Sequence, residues 1–233
     1  MLPSRIVESM DEISDVVAID GPAGAGKSTV ARRVADTLGY AFLDTGAMYR
    51  AATWRALDRG VALDDPAALA ESTRAMQFAV KEEGGGLRVW VDGQDVTDAI
   101  RTPEVTRAIY HLDHNPEVRA CLVALQQAVG AQQPTVAEGR DIGTVVFPKA
   151  RCKIYLDASL DERVRRRAEE LEAKGMAVDR SVLREEIRRR DEKDMGRAIS
   201  PLRCAPDAMR VDTTGMTLDE VVEKIVALAR EER

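Results

Sequence analysis

The 233-residue chain has few of the side chains that build metal centres and disulfide frameworks, with three cysteines and two histidines. Cys121, Cys152 and Cys204 lie far apart without the spacing of metal ligands, and their odd number argues against a disulfide framework. His111 and His114 are not accompanied by a serine or cysteine nucleophile signature, which argues against a catalytic triad. We therefore expect the chain to reside in the reducing cytoplasm.

Long apolar runs and an excess of positive charge are also missing. No segment approaches the roughly 18 apolar residues that span a bilayer. Residues 1–15 lack the apolar region of a signal peptide, so they are interpreted as a mobile tail. The net charge of −6 does not suit nucleic-acid binding, which depends on neutralising many phosphates. It suits an enzyme whose positive charge is concentrated in one site.

The most informative segment is Gly-Pro-Ala-Gly-Ala-Gly-Lys-Ser at 21–28, which has the form G-x-x-x-x-G-K-S. An apolar run at 16–19 precedes it and predicts a buried strand, and a helical pattern from Val30 onward follows it. This context predicts a phosphate loop, in which backbone N–H groups surround phosphate oxygens at a helix N-terminus. Lys27 is then expected to reach the β- and γ-phosphates of a nucleotide, and the Ser28 hydroxyl to ligate Mg²⁺.

Strand-like and helix-like segments alternate along the chain, which predicts an α/β fold with a parallel sheet flanked by helices. The last helix is predicted at about 218–229. The predicted core strands are 16–20, 41–44, 135–138, 153–157 and 209–212. Acidic residues stand at the ends of these strands, at the edge where parallel sheets bind ligands. They include Asp20, Asp44, Glu138 and Asp157.

One segment, 60–112, interrupts this alternation and predicts a small α+β insertion. Within it, residues 87–91 alternate between apolar and polar, Asp92-Gly93 is a strong turn signal, and residues 94–96 return as a second strand.

A second segment, 158–198, is predicted to form two charged helices. Ser159 and Glu162 form a capping box for the first helix, and Asp179 is the expected cap of the second. Residues 157–203 hold thirteen Lys/Arg and twelve Asp/Glu, a net charge of +1, so they are not a polybasic tail. The two helices are either solvated and salt-bridged or form a lid whose arginines close over phosphates. The remaining segments, 16–59, 113–157 and 199–233, are assigned to the core.

One group of charged residues in the second of these helices is a candidate for nucleotide binding. Arg190, Asp194 and Arg197 are spaced i, i+4 and i+7, which predicts that they share one helix face. Either Arg190 and Asp194 pair with each other, or the face holds a nucleotide. In the second case the arginines neutralise phosphates and Asp194 accepts hydrogen bonds from ribose hydroxyls.

Two further arginines follow predicted strands. Arg50 lies one to two turns into the helix predicted after residue 44, and its guanidinium fork suits phosphate oxygens. Arg140 and Asp141 lie between glycines in the loop after 135–138, where core packing explains them poorly. A structural ion pair is the alternative to a ligand-binding role.

With these motifs the chain resembles the bacterial cytidylate kinases, a family of nucleoside monophosphate kinases, over about residues 16–230. The residues that carry the resemblance are Ile19-Asp20-Gly21-Pro22, Asp44-Thr45-Gly46-Ala47-Met48-Tyr49-Arg50, Asp95-Val96-Thr97 with Ile100-Arg101, Gly139-Arg140-Asp141-Ile142-Gly143-Thr144-Val145-Val146-Phe147-Pro148, Arg189-Arg190-Asp191 and Arg197-Ala198-Ile199-Ser200-Pro201-Leu202.

The resemblance implies that the chain transfers the γ-phosphoryl group of ATP, with Mg²⁺, to CMP or dCMP in pyrimidine nucleotide metabolism. The transfer is expected to be direct and in line, without a protein nucleophile. It also implies a P-loop core, a monophosphate-binding insertion at 60–112 and a lid at 158–198. The expected partners are ATP and CMP or dCMP, with no nucleic acid and no membrane, and the family expectation is a monomer in the cytoplasm.

The resemblance also implies the site residues. The catalytic residues are Lys27, Arg140, Arg190 and Arg197. ATP is bound by Gly21, Pro22, Ala23, Gly24, Ala25, Gly26, Lys27, Ser28, Thr29 and Arg166, with Arg163, Arg166 or Arg167 of the lid facing it; Ser28 is the metal ligand. The substrate is bound by Thr45, Arg50, Tyr110, Arg119, Arg140, Asp141, Arg190 and Asp194. Within this set, Arg50, Arg140 and Arg190 hold the CMP phosphate, Arg119 and Asp141 read the cytosine ring, Asp194 contacts the sugar, and Arg197 lies near the phosphates.

One position departs from the family pattern. Tyr110 stands where the family usually has a small serine that touches the base. Its larger ring is expected to bond the base through its hydroxyl, to stack on the base, or to turn away from it. The departure concerns selection of CMP over UMP rather than the reaction class.

Three other functions are considered. One is a kinase for UMP, AMP or a non-nucleotide acceptor. A regulatory GTPase needs an N-K-x-D guanine motif, but Asn115, the one asparagine of the sequence, is followed by proline. A nucleic-acid-dependent ATPase conflicts with the near-neutral charge of 157–203.

Overall fold

The computed structural model describes residues 15–83, 86–173 and 175–231. Apart from Asp15, the tail predicted at 1–15 lies outside the described residues. The chain divides into two compact units. Unit 1 contains the described residues up to Leu43 and those from Gln127 onward, and unit 2 contains Asp44–Gln126.

In the described part of unit 1, five strands form one sheet in the order β2-β6-β1-β7-β8. Strand β1 is parallel to both β6 and β7, and β7 is parallel to β8. The strands are β1 (Val16–Asp20), β2 (Ala41–Asp44), β6 (Thr135–Gly139), β7 (Cys152–Asp157) and β8 (Met209–Asp212). The predicted α/β fold and its five core strands are therefore confirmed, with bounds that differ by at most one residue.

The core of unit 1 lies between this sheet and two helices, α1 (Lys27–Leu38) and α8 (Leu218–Glu231). Helix α1 presents Val30 and Val34 to this core because residues four apart share a face. It ends at Gly39, whose φ of 71° is the left-handed conformation that glycine adopts without steric cost. Helix α8, predicted to end near residue 229, contributes Val221 and Ile225 to the same core.

Two charged helices of unit 1 are found where they were predicted, α6 (Leu160–Ala173) and α7 (Arg180–Met195). The Ser159 hydroxyl accepts a hydrogen bond from the N–H of Glu162, and the Asp179 carboxylate caps α7. The helices share a small apolar core of Val164, Ala168, Leu183 and Ile187.

One prediction about α7 is wrong. The helix ends at Met195 with Gly196 as its C-cap, so Arg197 lies in the following turn and does not share a helix face with Arg190. The i, i+4, i+7 spacing assumed that the helix continues through a glycine, which is a poor helix former.

Unit 2 contains helices and a small antiparallel sheet. Its elements are α2 (Thr45–Asp58), α3 (Pro66–Arg74), β3 (Phe78–Glu83), β4 (Gly86–Val91), β5 (Gln94–Asp95), a 3-10 turn at Ala99–Arg101, α4 (Pro103–Asp113) and the start of α5 (Pro116–Gly130). The predicted hairpin around Asp92-Gly93 is confirmed as β4 and β5, and β3 extends it to three strands.

A buried arginine holds unit 2 together. Arg55 on α2 donates hydrogen bonds to the Ser72 carbonyl on α3 and to the Asp92 carboxylate in the hairpin turn.

Across the described ranges, no helix is long and apolar enough to cross a bilayer.

Candidate active site

The segment 21–28 connects β1 to α1, as a phosphate loop requires. Its glycines adopt backbone angles that other residues rarely take, with φ of 75° at Gly24 and 86° at Gly26. A Cβ on Gly21 would lie 2.0 Å from the Leu156 carbonyl oxygen, so only glycine fits there. Helix α1 begins at Lys27, which places the positive end of the helix dipole at this loop.

Lys27 is buried within the loop. Its Nζ donates a hydrogen bond to the Pro22 carbonyl oxygen at 2.7 Å. Burial is the main cause that lowers the pKa of Lys27 to about 7, and the nearby charges of Arg140 and Arg190 lower it further. Glu138 and Asp20 act in the opposite direction. The structure thus holds Lys27 in a buried position close to two other positive charges.

Ser28 faces an acidic residue at the end of β6. The Ser28 hydroxyl donates a hydrogen bond to Glu138 Oε1 at 2.6 Å, and Glu138 is buried. Together they present a hydroxyl and a carboxylate, which are hard oxygen ligands suited to Mg²⁺. Among the described residues there is no group of three acidic, histidine or cysteine side chains that could hold a metal by itself. A Mg²⁺ ion held by two protein oxygens, substrate phosphates and water fits this donor set.

Asp194 connects two of the predicted catalytic arginines. Its Oδ2 accepts a hydrogen bond from Arg140 Nε at 2.8 Å, and its Oδ1 accepts one from Arg197 at 2.5 Å. Although burial opposes ionisation, Arg140, Arg197 and Arg190 lower the pKa of Asp194. Burial also opposes the charge of Arg140, but Asp194, Glu138 and Asp191 raise its pKa. The Asp194 carboxylate therefore orients two guanidinium groups on the same side of unit 1.

Arg190 is placed differently from its predicted neighbours on α7. It is exposed, yet it is close enough to affect the ionisation of both Lys27 and Asp194. Lys27, Arg140 and Arg190 consequently lie within electrostatic reach of one another.

The three arginines of α6 that were candidates for facing ATP have distinct environments. Arg163 is buried and donates hydrogen bonds to the Ala23 carbonyl oxygen at 2.8 Å and to Asp191 at 2.5 Å. The Ala23 N–H in turn donates to Asp191 at 2.9 Å. These bonds attach α6 and α7 to the phosphate loop, which is a structural role.

Arg166 and Arg167 are adjacent on α6 but point to different surroundings. Arg166 is half-buried, lies 3.5 Å from the Ala25 carbonyl oxygen of the phosphate loop, and bonds to Thr213 after β8. The Arg167 side chain is 43% exposed and pairs with Glu170 on its own helix. Of the three, Arg166 has the position that best matches a nucleotide contact.

Asp141 begins a single π-helical turn formed by Ile142–Val146. It is buried, and its carbonyl oxygen accepts hydrogen bonds from the N–H groups of Val145 and Val146. The start of the turn is held by Asp20, at the end of β1, whose carboxylate accepts from two backbone N–H groups.

Unit 2 carries the remaining predicted substrate-binding residues. Asp44 is the N-cap of α2, where its carboxylate accepts from the Ala47 N–H at 2.7 Å and pairs with Arg50 at 3.1 Å. A Cβ on Gly46 would lie 3.1 Å from the Arg50 guanidinium, so glycine leaves room for this pair. Thr45 is the first residue of α2 and is buried.

Arg119 is fixed within unit 2. It is 4% exposed, its guanidinium lies 5.4 Å from the centre of the Tyr49 ring, and it donates to the Asp113 carbonyl oxygen at 3.3 Å. The attraction between the guanidinium and the aromatic face and the hydrogen bond to Asp113 together fix the orientation of Arg119.

Comparison with known proteins decides the family. The sequence model of the cytidylate kinases matches residues 17–231. The chain belongs to the cytidylate kinase family. It is 49% identical over 215 residues to the cytidylate kinase of Geobacillus kaustophilus, covering 92% of this chain and 96% of that protein.

Other relatives are larger than this chain. The chain is 51% identical over 216 residues to a bifunctional pantoate ligase/cytidylate kinase of Synechocystis sp., covering 91% of this chain and 42% of that protein. It thus spans less than half of the length of the bifunctional curated relatives that it matches. A solved structure of an uncharacterized protein from Eubacterium ventriosum shares the fold, with a TM-score of 0.54, 10% identity, and coverage of 94% of this chain and 99% of that one.

Tyr110 departs from the cytidylate kinase pattern, and the structure places it against two histidines. Its ring centre lies 4.0 Å from that of His114, at 36° between the planes, and it meets His111 edge-on at 5.9 Å. The side chain is nevertheless accessible, at 48% exposed.

Sequence reasoning assigned no role to three residues that shape unit 1 of this cytidylate kinase family member. Glu138 and Asp20 were visible as acidic strand ends, but their partners, Ser28 on α1 and the turn after Asp141, come from other parts of the chain. The contact of Asp191 with the phosphate loop joins residues 168 positions apart and has no local signal.

Proposed function

We propose that the chain catalyses transfer of the γ-phosphoryl group of ATP to CMP or dCMP, giving ADP and CDP or dCDP. Its membership of the cytidylate kinase family supports this activity. The observation that carries the proposal is the gathering of Lys27, Arg140 and Arg190 around one phosphate loop. Like charges brought close to one another repel, and Lys27 among them is buried, so the site suits a ligand with several negative charges.

The arginines and Lys27 are proposed to act by positioning and charge neutralisation. Phosphoryl transfer spreads negative charge over the transferring group and needs little covalent help from the protein. Lys27 is assigned to the β- and γ-phosphates, and Arg140, Arg190 and Arg197 to the oxygens of the transferring group and of CMP. Arg166 is assigned to ATP because it borders the phosphate loop.

Ser28 and Glu138 are proposed to hold Mg²⁺. The ion, when bound, would neutralise phosphate charge and orient the phosphate chain. The Ser28 hydroxyl donates to Glu138 Oε1 at 2.6 Å, so the two oxygens lie close enough together to ligate one ion.

The residues proposed to hold the acceptor are those that the family resemblance implies. Thr45, Arg50 and Tyr110 are assigned to CMP, as are Arg119, Asp141 and Asp194. A carboxylate can accept about four hydrogen bonds, so Asp194 can contact the sugar while holding Arg140 and Arg197.

Base selection follows from hydrogen-bond chemistry. Cytosine presents an N4 amino donor, which the Asp141 carboxylate accepts, and acceptors at N3 and O2, to which Arg119 donates. Uracil has an oxygen in place of the amino group, and a carboxylate repels it. An unpaired buried polar contact costs about 1–3 kcal/mol, which corresponds to roughly ten- to a hundredfold discrimination.

We also propose the domain roles and setting that the resemblance implies. Residues 60–112 bind the monophosphate, 158–198 form the lid, and the other segments from 16 onward form the P-loop core. The protein is proposed to act as a monomer in the cytoplasm on small-molecule substrates, without nucleic acid or membrane.

Nucleotide chromatography after incubating the purified chain with ATP, Mg²⁺ and CMP tests the activity. We expect ADP and CDP to form in equal amounts. The Lys27→Ala variant should form neither product, while its circular dichroism spectrum remains unchanged. ADP without CDP would replace the kinase with an ATPase, and an active Lys27→Ala would remove Lys27 from the mechanism.

A further inference from the structure

The Asp20 carboxylate makes an unusual pair of hydrogen bonds at the end of β1. Asp20 is 4% exposed. Its Oδ1 accepts from the Ile142 N–H and its Oδ2 from the Gly143 N–H, both at 2.8 Å. Those two N–H groups directly follow Arg140 and Asp141 in sequence. The Asp20 side chain at the end of β1 thus binds the backbone of the neighbouring loop, which carries two of the proposed CMP-binding residues.

The two N–H groups need such a partner. They lie at the start of the π-helical turn Ile142–Val146, and the first N–H groups of any helix have no acceptor within it. Inside the turn, the N–H groups of Val146 and Phe147 bond back to the carbonyl oxygens of Asp141 and Ile142. The turn is internally closed, and Asp20 attaches its N-terminus to β1.

The fit around this attachment is close. A Cβ on Gly143 would lie 3.4 Å from Asp20 Oδ2 and 3.3 Å from Lys153 Cδ. Lys153 is itself fixed, because its Nζ donates to the Pro148 carbonyl oxygen and to Asp207. The length of the Asp20 side chain therefore sets how near the turn approaches β1.

Stability alone does not account for a carboxylate here. Burial raises the pKa of Asp20 to about 6, and the charge of Asp141 adds to the rise, while hydrogen bonds from Gly143 and Ile142 and the charge of Lys27 oppose it. A raised carboxyl pKa means that the ionised form at neutral pH costs the folded state free energy. A neutral side chain would avoid that cost. Residues that lower the stability of the folded state in this way are common at functional sites.

We propose that Asp20 is a positioning residue, which sets the location of Arg140 and Asp141 relative to the phosphate loop that begins at Gly21. The phosphate loop begins directly after Asp20, and the turn that follows Arg140 and Asp141 is hydrogen-bonded to the Asp20 side chain. This inference rests on the proposed function for its consequence, namely that Asp20 controls CMP binding more than ATP binding.

The test compares Asp20→Asn and Asp20→Glu with a control, Asp212→Asn. The control changes an exposed aspartate at the end of β8, which also accepts from a nearby backbone N–H, that of Thr214. Asparagine keeps one acceptor oxygen and loses the second, whereas glutamate keeps the charge with a longer side chain. In each variant, KM for CMP, kcat and the Kd of a fluorescent ATP analogue are measured, together with hydrogen exchange of peptides covering residues 139–147.

Both Asp20 variants are expected to raise KM for CMP by about tenfold or more, the effect of losing one charge-assisted bond, and to change Kd for the ATP analogue by less than about threefold. Exchange in 139–147 should accelerate, and the control should match the wild type. Glutamate restoring the wild-type KM would show that charge rather than position matters and would overturn the inference. Equal losses for ATP and CMP, or unchanged exchange, would also overturn it. A wild-type chain without CMP kinase activity would instead remove the proposed function, and the exchange measurement would still test the attachment.

Discussion

The pairing of Asp194 with Arg140 and Arg197 makes a sharp prediction for Asp194→Asn. The Asp194 side chain is 6% exposed, and those of Arg197 and Arg140 are 9% and 17% exposed. Hydrogen bonds to charged groups contribute about 1.5–3 kcal/mol each, and an asparagine can replace only one of the two. It also turns an amide N–H₂ group toward a guanidinium, which leaves a buried positive charge without compensation. We expect the free energy of unfolding to fall by about 3 kcal/mol.

The assay is urea denaturation at pH 7 followed by circular dichroism. With a denaturant slope of about 3 kcal/mol per molar, the midpoint should fall by about 1 M. The matched control is Glu185→Gln on the same helix. Glu185 also binds two arginines, Arg188 and Arg189, but its side chain is 41% exposed and solvent screens the pairs. Equal midpoints for the two variants would refute the reasoning that burial makes the Asp194 network strong.

The pH dependence of the free energy of unfolding, compared between the wild type and Asp194→Asn, provides a second test. The pKa of Asp194 in the folded state is below its ordinary value of 3.8. A lowered carboxyl pKa contributes stability that is present above the unfolded value and is lost as the pH falls through the folded value. The difference in unfolding free energy between wild type and Asp194→Asn should therefore be constant near neutral pH and narrow below about pH 4.

Three further predictions concern activity. Arg190→Ala should lower kcat by about a hundredfold or more, whereas Arg189→Ala, which changes an exposed arginine paired with Glu185, should retain it; similar rates in steady-state assays would contradict the role of Arg190. Arg166→Ala should raise KM for ATP while Arg167→Ala does not, and the reverse order would reassign the ATP contact. Because burial raises the pKa of Asp20 to about 6, protonation on lowering the pH should replace an acceptor with a donor, so kcat/KM for CMP should fall below about pH 6. In Asp20→Asn this decrease should be missing, and only the decrease caused by protonation of the substrate phosphate should remain. Identical pH profiles for the wild type and Asp20→Asn would contradict the prediction.

The parts of the fold that carry a local signal could be predicted from the sequence. Strand β1 is a continuous buried run because both faces of the sheet are covered, and the loop at 21–28 has fixed glycines between a strand and a helix. The caps at Ser159 and Asp179 act over two or three residues, and both were predicted. These features depend on neighbours in sequence and therefore appear in the sequence pattern.

Features that depend on distant partners could not be predicted in the same way. Strand β3 carries polar residues and has no clear alternation, and it exists because all six of its residues pair with β4. Asp194 was expected to pair with Arg190 or to contact a ribose, and no local pattern indicated that its carboxylate also accepts from Arg140, 54 positions away. The choice among Arg163, Arg166 and Arg167 likewise depended on tertiary contacts, because Arg163 and Arg166 meet the phosphate loop whereas Arg167 pairs with Glu170 on its own helix.

The proposed transfer of a phosphoryl group from ATP to CMP or dCMP can be tested by measuring ADP production from ATP and Mg²⁺ with CMP, dCMP, UMP and AMP offered separately. We expect strong activity with CMP and dCMP and weak activity with UMP and AMP, because Asp141 is proposed to accept from the cytosine amino group and to repel the uracil oxygen. Comparable activity on UMP would keep the kinase but contradict the base-reading role and make Tyr110 the residue to examine. Absence of activity with all four acceptors would contradict the proposed function.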